Sequence, residues 1–188
     1  MKDADPALSG SVVILSGPPG SGKSTVAERL AAAAAGPAVH FNADHFWDFI
    51  KSGFVSPWLA GAQRQNEVVM NVAAEAAACF AAGGYQVYFD CLVGPWFLTP
   101  FCAACEARGL QLVYIVLRPS LRVALSRARA RRESALRDSA PIRSLYTQFL
   151  DLGVFERHVI DNSDLTPAQT IAAVRRAAGD HGFALRPS

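Results

Sequence analysis

The chain has 188 residues, 51% of them hydrophobic and 18% charged, which suits a soluble α/β protein with a sizeable core. With 18 Lys and Arg against 16 Asp and Glu, the formal net charge is +2, too small to mark a nucleic-acid binder by charge alone. No uninterrupted apolar run reaches the ~20 residues that span a membrane, and the acidic, polar start Met1-Lys-Asp-Ala-Asp-Pro6 is unlike a secretory signal.

Residues 1–10 read as a loose leader and 12–15, Val-Val-Ile-Leu, as a buried parallel strand. Gly17-Pro-Pro-Gly20-Ser21-Gly22-Lys23-Ser24-Thr25 follows, matching Gly-x-x-x-x-Gly-Lys-Ser, and opens a helix over 23–35 with Val26, Ala27 and Leu30 on one face. At such a strand-turn-helix junction the glycines let successive backbone N–H groups converge on one anion at a helix N-terminus. Lys23 then reaches the β- and γ-phosphates, and the Ser24 hydroxyl can ligate magnesium. The stretch implies nucleoside triphosphate binding and leaves open what becomes of the phosphate.

Gly36-Pro37 ends that helix, and 38–41 reads as a second strand. A short helix over 45–50 and a loop over 51–58 come next. Gly61 to Ala82 reads as one long helix, with Val68, Val72, Ala76 and Cys79 as its apolar stripe, widened by Val69 and Phe80. A strand over 85–89, a helix near 99–108 and a very apolar strand over 111–117 follow. Pro119 opens a helix to about 133, and 141–152 reads as helical. A short strand spans 158–161. Thr166-Pro-Ala-Gln169 is a capping box before a last helix that buries Ile171, Val174 and Ala178.

Strands alternating with helices imply a parallel sheet covered on both faces. No repeat or composition shift divides the chain, so 1–188 reads as one domain. Cys102-x-x-Cys105 lacks a second pair or histidines to complete a zinc site. Cys79, Cys91, Cys102 and Cys105 therefore read as buried or half-buried free thiols of a reducing, cytoplasmic setting.

Ligands of such sheets bind beyond the carboxyl ends of the strands. Asp44, after the second strand, can take a proton from a substrate hydroxyl or merely cap the helix behind it. Asp90, after the third, can hold magnesium through water, bind substrate hydroxyls, or be an ordinary turn residue. No hydrophobic-hydrophobic-Asp-Glu pattern of a motor ATPase is present. After the fourth strand come Arg118, Arg122, Arg127, Arg129, Arg131 and Arg132, with no acid before Glu133. Arg127 and Arg131 share a helical face and can close as a lid over a moving phosphate. A solvated face or a nucleic-acid contact are the alternatives. Asn162 or Ser163, after the fifth strand, can meet the nucleotide base or simply form a turn.

Four landmarks, Gly17–Thr25, Phe41-Asn-Ala-Asp44, Asp90 and Arg127-x-x-x-Arg131, resemble the small P-loop kinases related to chloramphenicol phosphotransferase, zeta toxins and gluconate kinase. The resemblance implies an α/β P-loop NTPase fold: a three-layer α/β/α sandwich with a five-stranded parallel sheet of order 2-3-1-4-5 and a short Arg-rich lid, nucleoside-kinase-like. It implies transfer of the ATP γ-phosphate, with Mg2+, to a hydroxyl of a small molecule such as a sugar, nucleoside or antibiotic. It makes Asp44 the base, Lys23 and Arg131 γ-phosphate ligands, and Thr25 an α-phosphate contact. Zeta toxins tend to carry a basic residue within a turn of that Asp. Here His45-Phe46-Trp47-Asp48 follows, which disfavours an anionic nucleotide-sugar acceptor. The aromatic stretch, including Phe46 and Trp47, either holds the acceptor or forms core. Arg64 and Gln65 would border such an acceptor pocket. A toxin kinase on a nucleotide sugar and a regulatory NTPase without an acceptor are the rival readings.

Overall fold

The computed structural model describes residues 10–130 and 139–185; all of the expected leader but Gly10 lies outside them. At the centre is β1 (Ser11–Ser16), buried along its whole length. It pairs in parallel with β3 (Gln86–Asp90) on one side and β4 (Gln111–Leu117) on the other. β2 (Ala38–Asn42) lies outside β3, and β5 (Val159–Ile160) outside β4. The order β2-β3-β1-β4-β5 is the one the resemblance implies. A strand that the sequence reading lacks, β6 (Ala184–Leu185), runs antiparallel to β4.

The run from Val12 to Leu15 is apolar throughout because both faces of the sheet are covered. Val13 and Leu15, with Val113, Ile115 and Leu117, pack in a cluster with residues of α1 (Lys23–Ala32) and α6 (Pro167–Ala178). Val12 and Ile14, with Leu112, Tyr114 and Val116, pack in the cluster shared by α2 (Gln63–Ala82) and α3 (Leu98–Glu106). Strand alternation thus divides one apolar sequence between two cores. α4 (Leu121–Ala130) and α5 (Ser139–Thr147) meet through Leu125, Ala128 and Ile142. The capping box of α6 forms as expected between Thr166 and Gln169. Among the described residues no helix is long and apolar enough to cross a membrane.

Several boundaries differ from the sequence reading. α1 ends at Ala32, three residues early. The segment after β2 is a 3-10 helix, Ala43–Phe49. α5 ends at Thr147, and a further 3-10 helix, Gly153–His158, leads into β5. The largest correction concerns α2. Most of its expected stripe faces outward: Val68, Val72 and Phe80 are 46%, 51% and 44% exposed, and Cys79 is exposed with them, whereas Val69 is buried and Ala76 packs against the core. The buried face is Val69, Met70, Ala73, Ala74, Ala77, Ala78 and Ala81. Small side chains let the helix axis approach the sheet and α3 closely, and dense packing wins over the hydrophobicity of the individual side chain.

β1 also anchors the chain beyond β3. Ser16 Oγ donates to the Val93 carbonyl at 2.6 Å and accepts from the Val93 N–H at 2.9 Å, and the Tyr114 hydroxyl donates to the same carbonyl at 2.7 Å. Ser16→Ala removes the acceptor of a buried N–H, and urea unfolding should show a loss of about 1–3 kcal/mol.

Candidate active site

The loop between β1 and α1 curls through three glycines with positive φ, 132° at Gly17, 83° at Gly20 and 97° at Gly22. At two of them space is as restrictive as torsion. A Cβ on Gly17 would run into the Leu117 carbonyl at the end of β4, and one on Gly20 into the Ala124 carbonyl of α4. Gly22 is the N-cap of α1, so the N–H groups of the first turn are left for an anion. Lys23 folds back on the loop, its Nζ donating to the carbonyls of Gly17 at 2.9 Å and Pro18 at 3.3 Å. Ser24 is half-buried and Thr25 exposed in the same turn. Ser21 is wholly buried, and its Oγ has no hydrogen-bond partner among the described residues.

Two carboxylates flank this loop. Register brings them there: Asn42 at the end of β2 lies level with Asp90 of β3, and Asp90 with Leu15 of β1. Asn42, not Asp44, caps the 3-10 helix, its side chain accepting from the Asp44 N–H at 3.1 Å. The Asp44 carboxylate is thereby free of the capping role left open by sequence. It lies 3.7 Å from the thiol of Cys91, within the fields of Lys23 and Asp90. Asp90 is buried, and its Oδ2 is 3.3 Å from His40 Nε2.

Their electrostatics diverge. Desolvation raises the Asp44 carboxyl above its ordinary value; the Lys23 charge opposes this, and the Asp90 charge reinforces it. Asp90 also feels desolvation, but the His40 hydrogen bond, the Lys23 charge and the Ser24 hydrogen bond outweigh it and leave its carboxyl low. Neighbouring acids pushed in opposite directions are the pattern of a divided acid–base task. Sequence reading missed His40 and Cys91. Strand alternation could have flagged His40, which shares the Asn42 face of β2.

Other expected site residues fall elsewhere. Arg127 is tied to the chain after β5, its Nη2 donating to the carbonyls of Asn162 at 3.1 Å and Leu165 at 3.5 Å. Arg131 lies outside the described residues. Arg118 makes a bidentate pair with Glu156, both contacts at 2.8 Å. Asn162 is buried and turned inward, its Nδ2 donating to the Ser21 carbonyl at 2.9 Å. With its own carbonyl taken by Arg127, it pins the phosphate loop rather than facing a base. Ser163 belongs to a turn, bonded to Asp161 and to the Ser120 N–H. Trp47 is core, its indole N–H donating to Asn66 at 3.0 Å. Gln65 holds the backbone of Val55, and Arg64 is exposed near Glu67. Phe46, in contrast, lines an open cleft of about 680 Å3 that runs from Ser24 over the edge of β2.

The family model described as AAA domain matches residues 12–151. Among solved structures, the tunicamycin resistance protein of Deinococcus radiodurans superposes with a TM-score of 0.65 at 16% identity, over 90% of this chain and 95% of its own. A sugar kinase from a Janibacter species gives 0.64 at 18% identity, over 92% and 96%. The APS kinase of Mycobacterium tuberculosis in complex with AMPPNP and APS gives 0.64 at 14%, over 92% and 99%. At these identities the likeness is one of fold. No curated protein matches the chain.

Because Arg127 joins α4 to the loop after β5, Arg127→Ala should act on stability, by about 1–2 kcal/mol from the carbonyls it leaves unbonded. Chemical denaturation and nucleotide titration of the same variant separate this from a phosphate-ligand role, which would instead weaken nucleotide binding or turnover in a protein of unchanged stability.

Proposed function

The chain belongs to the AAA domain family, and from that premise we propose that it is an ATP- and magnesium-dependent kinase transferring the γ-phosphate to a hydroxyl of a small molecule. The observation that carries this reading is the convergence of the residues after β2 and β3, Asp44 and Asp90, on the glycine loop and Lys23 at the N-terminus of α1.

Each residue then has a role. The first-turn N–H groups of α1 and the loop through Gly17, Gly20, Ser21 and Gly22 bind the phosphates, and Thr25 meets the α-phosphate. Lys23 exchanges its loop carbonyls for the β- and γ-phosphate oxygens. Asp44 accepts the proton of the acceptor hydroxyl as its oxygen bonds to the γ-phosphorus and the bond to ADP breaks. Arg131 remains a candidate for charge on the transferring phosphate.

Among the described residues no cluster of three or more His, Cys, Asp and Glu could form a full cation cage. That suits magnesium, which keeps several waters and takes one or two protein oxygens plus phosphates. The Ser24 hydroxyl and the Asp90 carboxylate, held low by His40 and Lys23, are a donor set of that kind. When bound, the ion would neutralise charge on the β- and γ-phosphates.

Asp44→Asn should bind ATP as the parent does and lose roughly a hundredfold to ten-thousandfold in acceptor-dependent ADP formation. The sign of the pH effect follows from the raised carboxyl. The base works only when ionised, so the rate falls as pH drops through a value above the ordinary 3.8, and that limb is absent from the residual activity of Asp44→Asn. Full turnover by this variant would refute the assignment.

A further inference from the structure

The side chain that touches Asp44 is a cysteine. Cys91 is buried, and its thiol donates to Asp44 Oδ1 at 3.7 Å. Among the described residues the Asp44 carboxylate makes no other hydrogen bond, so Oδ2 has none. Register explains the meeting. Asn42 lies level with Asp90 across β2 and β3. Two residues past the one and one residue past the other, the two chains bring a carboxylate onto a thiol.

Both partners are held from behind. The Asp44 N–H donates to the Asn42 side chain at 3.1 Å, which sets the backbone under the carboxylate. The chain after β3 is clamped at Val93. Its carbonyl accepts from Ser16 at 2.6 Å and from Tyr114 at 2.7 Å, and its N–H donates to Ser16 at 2.9 Å. Ser16 is the last residue of β1, next to Gly17, and Tyr114 lies in β4. The strands that seat the phosphate loop therefore seat Cys91 as well.

A buried thiol is often no more than a small apolar filler, and Cys91 does pack in the core with Phe89, Val93 and Leu98. Filling space does not call for a carboxylate against the sulfur, whereas orienting a base does. Asp44 has solvent-open surface, and a free side chain there would turn between rotamers; correct placement of a reacting group governs its rate. A thiol is a weak donor. It fixes direction while neutralising little of the charge, and a stronger donor would make the carboxylate a poorer proton acceptor. We infer that Cys91 is a positioning residue: its S–H holds Oδ1 of Asp44 and leaves Oδ2 as the oxygen that meets the acceptor hydroxyl. The role of Asp44 as base rests on the kinase reading; the contact does not.

Two measurements on the full chain test this. The first is infrared spectroscopy without nucleotide or acceptor, in which the Cys91 S–H stretch is the band missing from Cys91→Ser. A hydrogen-bonded S–H stretches at lower frequency than a free one, so in Asp44→Ala this band should rise while those of the other thiols stay. A Cys91 band that Asp44→Ala leaves in place overturns the inference. The second is a double-mutant cycle on ADP formation from ATP with glycerol, glucose and adenosine as probe acceptors. Cys91→Ala should lower kcat roughly tenfold or more with the KM for ATP unchanged. It should cost nothing further in Asp44→Asn, and Cys91→Ser, which keeps a donor, should recover most of the rate. Where Asp44→Asn slows turnover, an unchanged rate in Cys91→Ala, losses that multiply in the double variant, or a Cys91→Ser as slow as Cys91→Ala assign Cys91 to packing and overturn the inference. Where Asp44→Asn turns over as the parent does, a band that answers to Asp44 upholds the contact and the base assignment falls.

Discussion

The constraint on which the structure depends is backbone-to-backbone contact at the loop after β1. Gly17 lies against the Leu117 carbonyl and Gly20 against that of Ala124, distances that no side chain allows. The contact seats the loop between the end of β4 and α4. Asn162 then reaches it from the chain after β5, donating to the Ser21 carbonyl, and Arg127 ties that chain to α4. Three segments far apart in sequence hold one loop, so the first N–H groups of α1 are fixed before any ligand arrives. Preorganisation of this kind is what makes a helix N-terminus an effective anion site.

Parallel register carries the same order outward. Because Leu15, Asp90 and Asn42 lie level across β1, β3 and β2, the residues after each strand converge at one edge. The environments there differ by small means. His40 lies within hydrogen-bond distance of Asp90, while Asp44 has the weak thiol of Cys91. Equal side chains thus have unequal surroundings, one held by a histidine and the other by a weak thiol.

Much of this was legible in the residues. The apolar run of β1, the glycine spacing, the strand-end acids and the Thr166 capping box follow from local pattern, and so does the strand order once the family is recognised. What was hidden depends on long side chains or tight packing. Arg127 reads as a free cation because its acceptors lie 35 and 38 residues further along the chain. Asn162 reads as a loop residue because its partner is 141 residues away. Most of the buried face of α2, all but Val69, was missed because valine outweighs alanine on any hydrophobicity scale, whereas close helix packing rewards the smaller residue. Whether Asp44 also caps the helix behind it was open in the sequence, and the side chain of Asn42 takes that place.

The central claim is that phosphate leaves the nucleotide for an organic hydroxyl and not for water. The most direct measurement follows the labelled γ-phosphate of ATP in the presence of candidate acceptors and separates organic phosphate from inorganic phosphate. The account predicts label in a phosphate ester whose formation depends on the acceptor. Label released only as inorganic phosphate, at a rate indifferent to every acceptor, would contradict it.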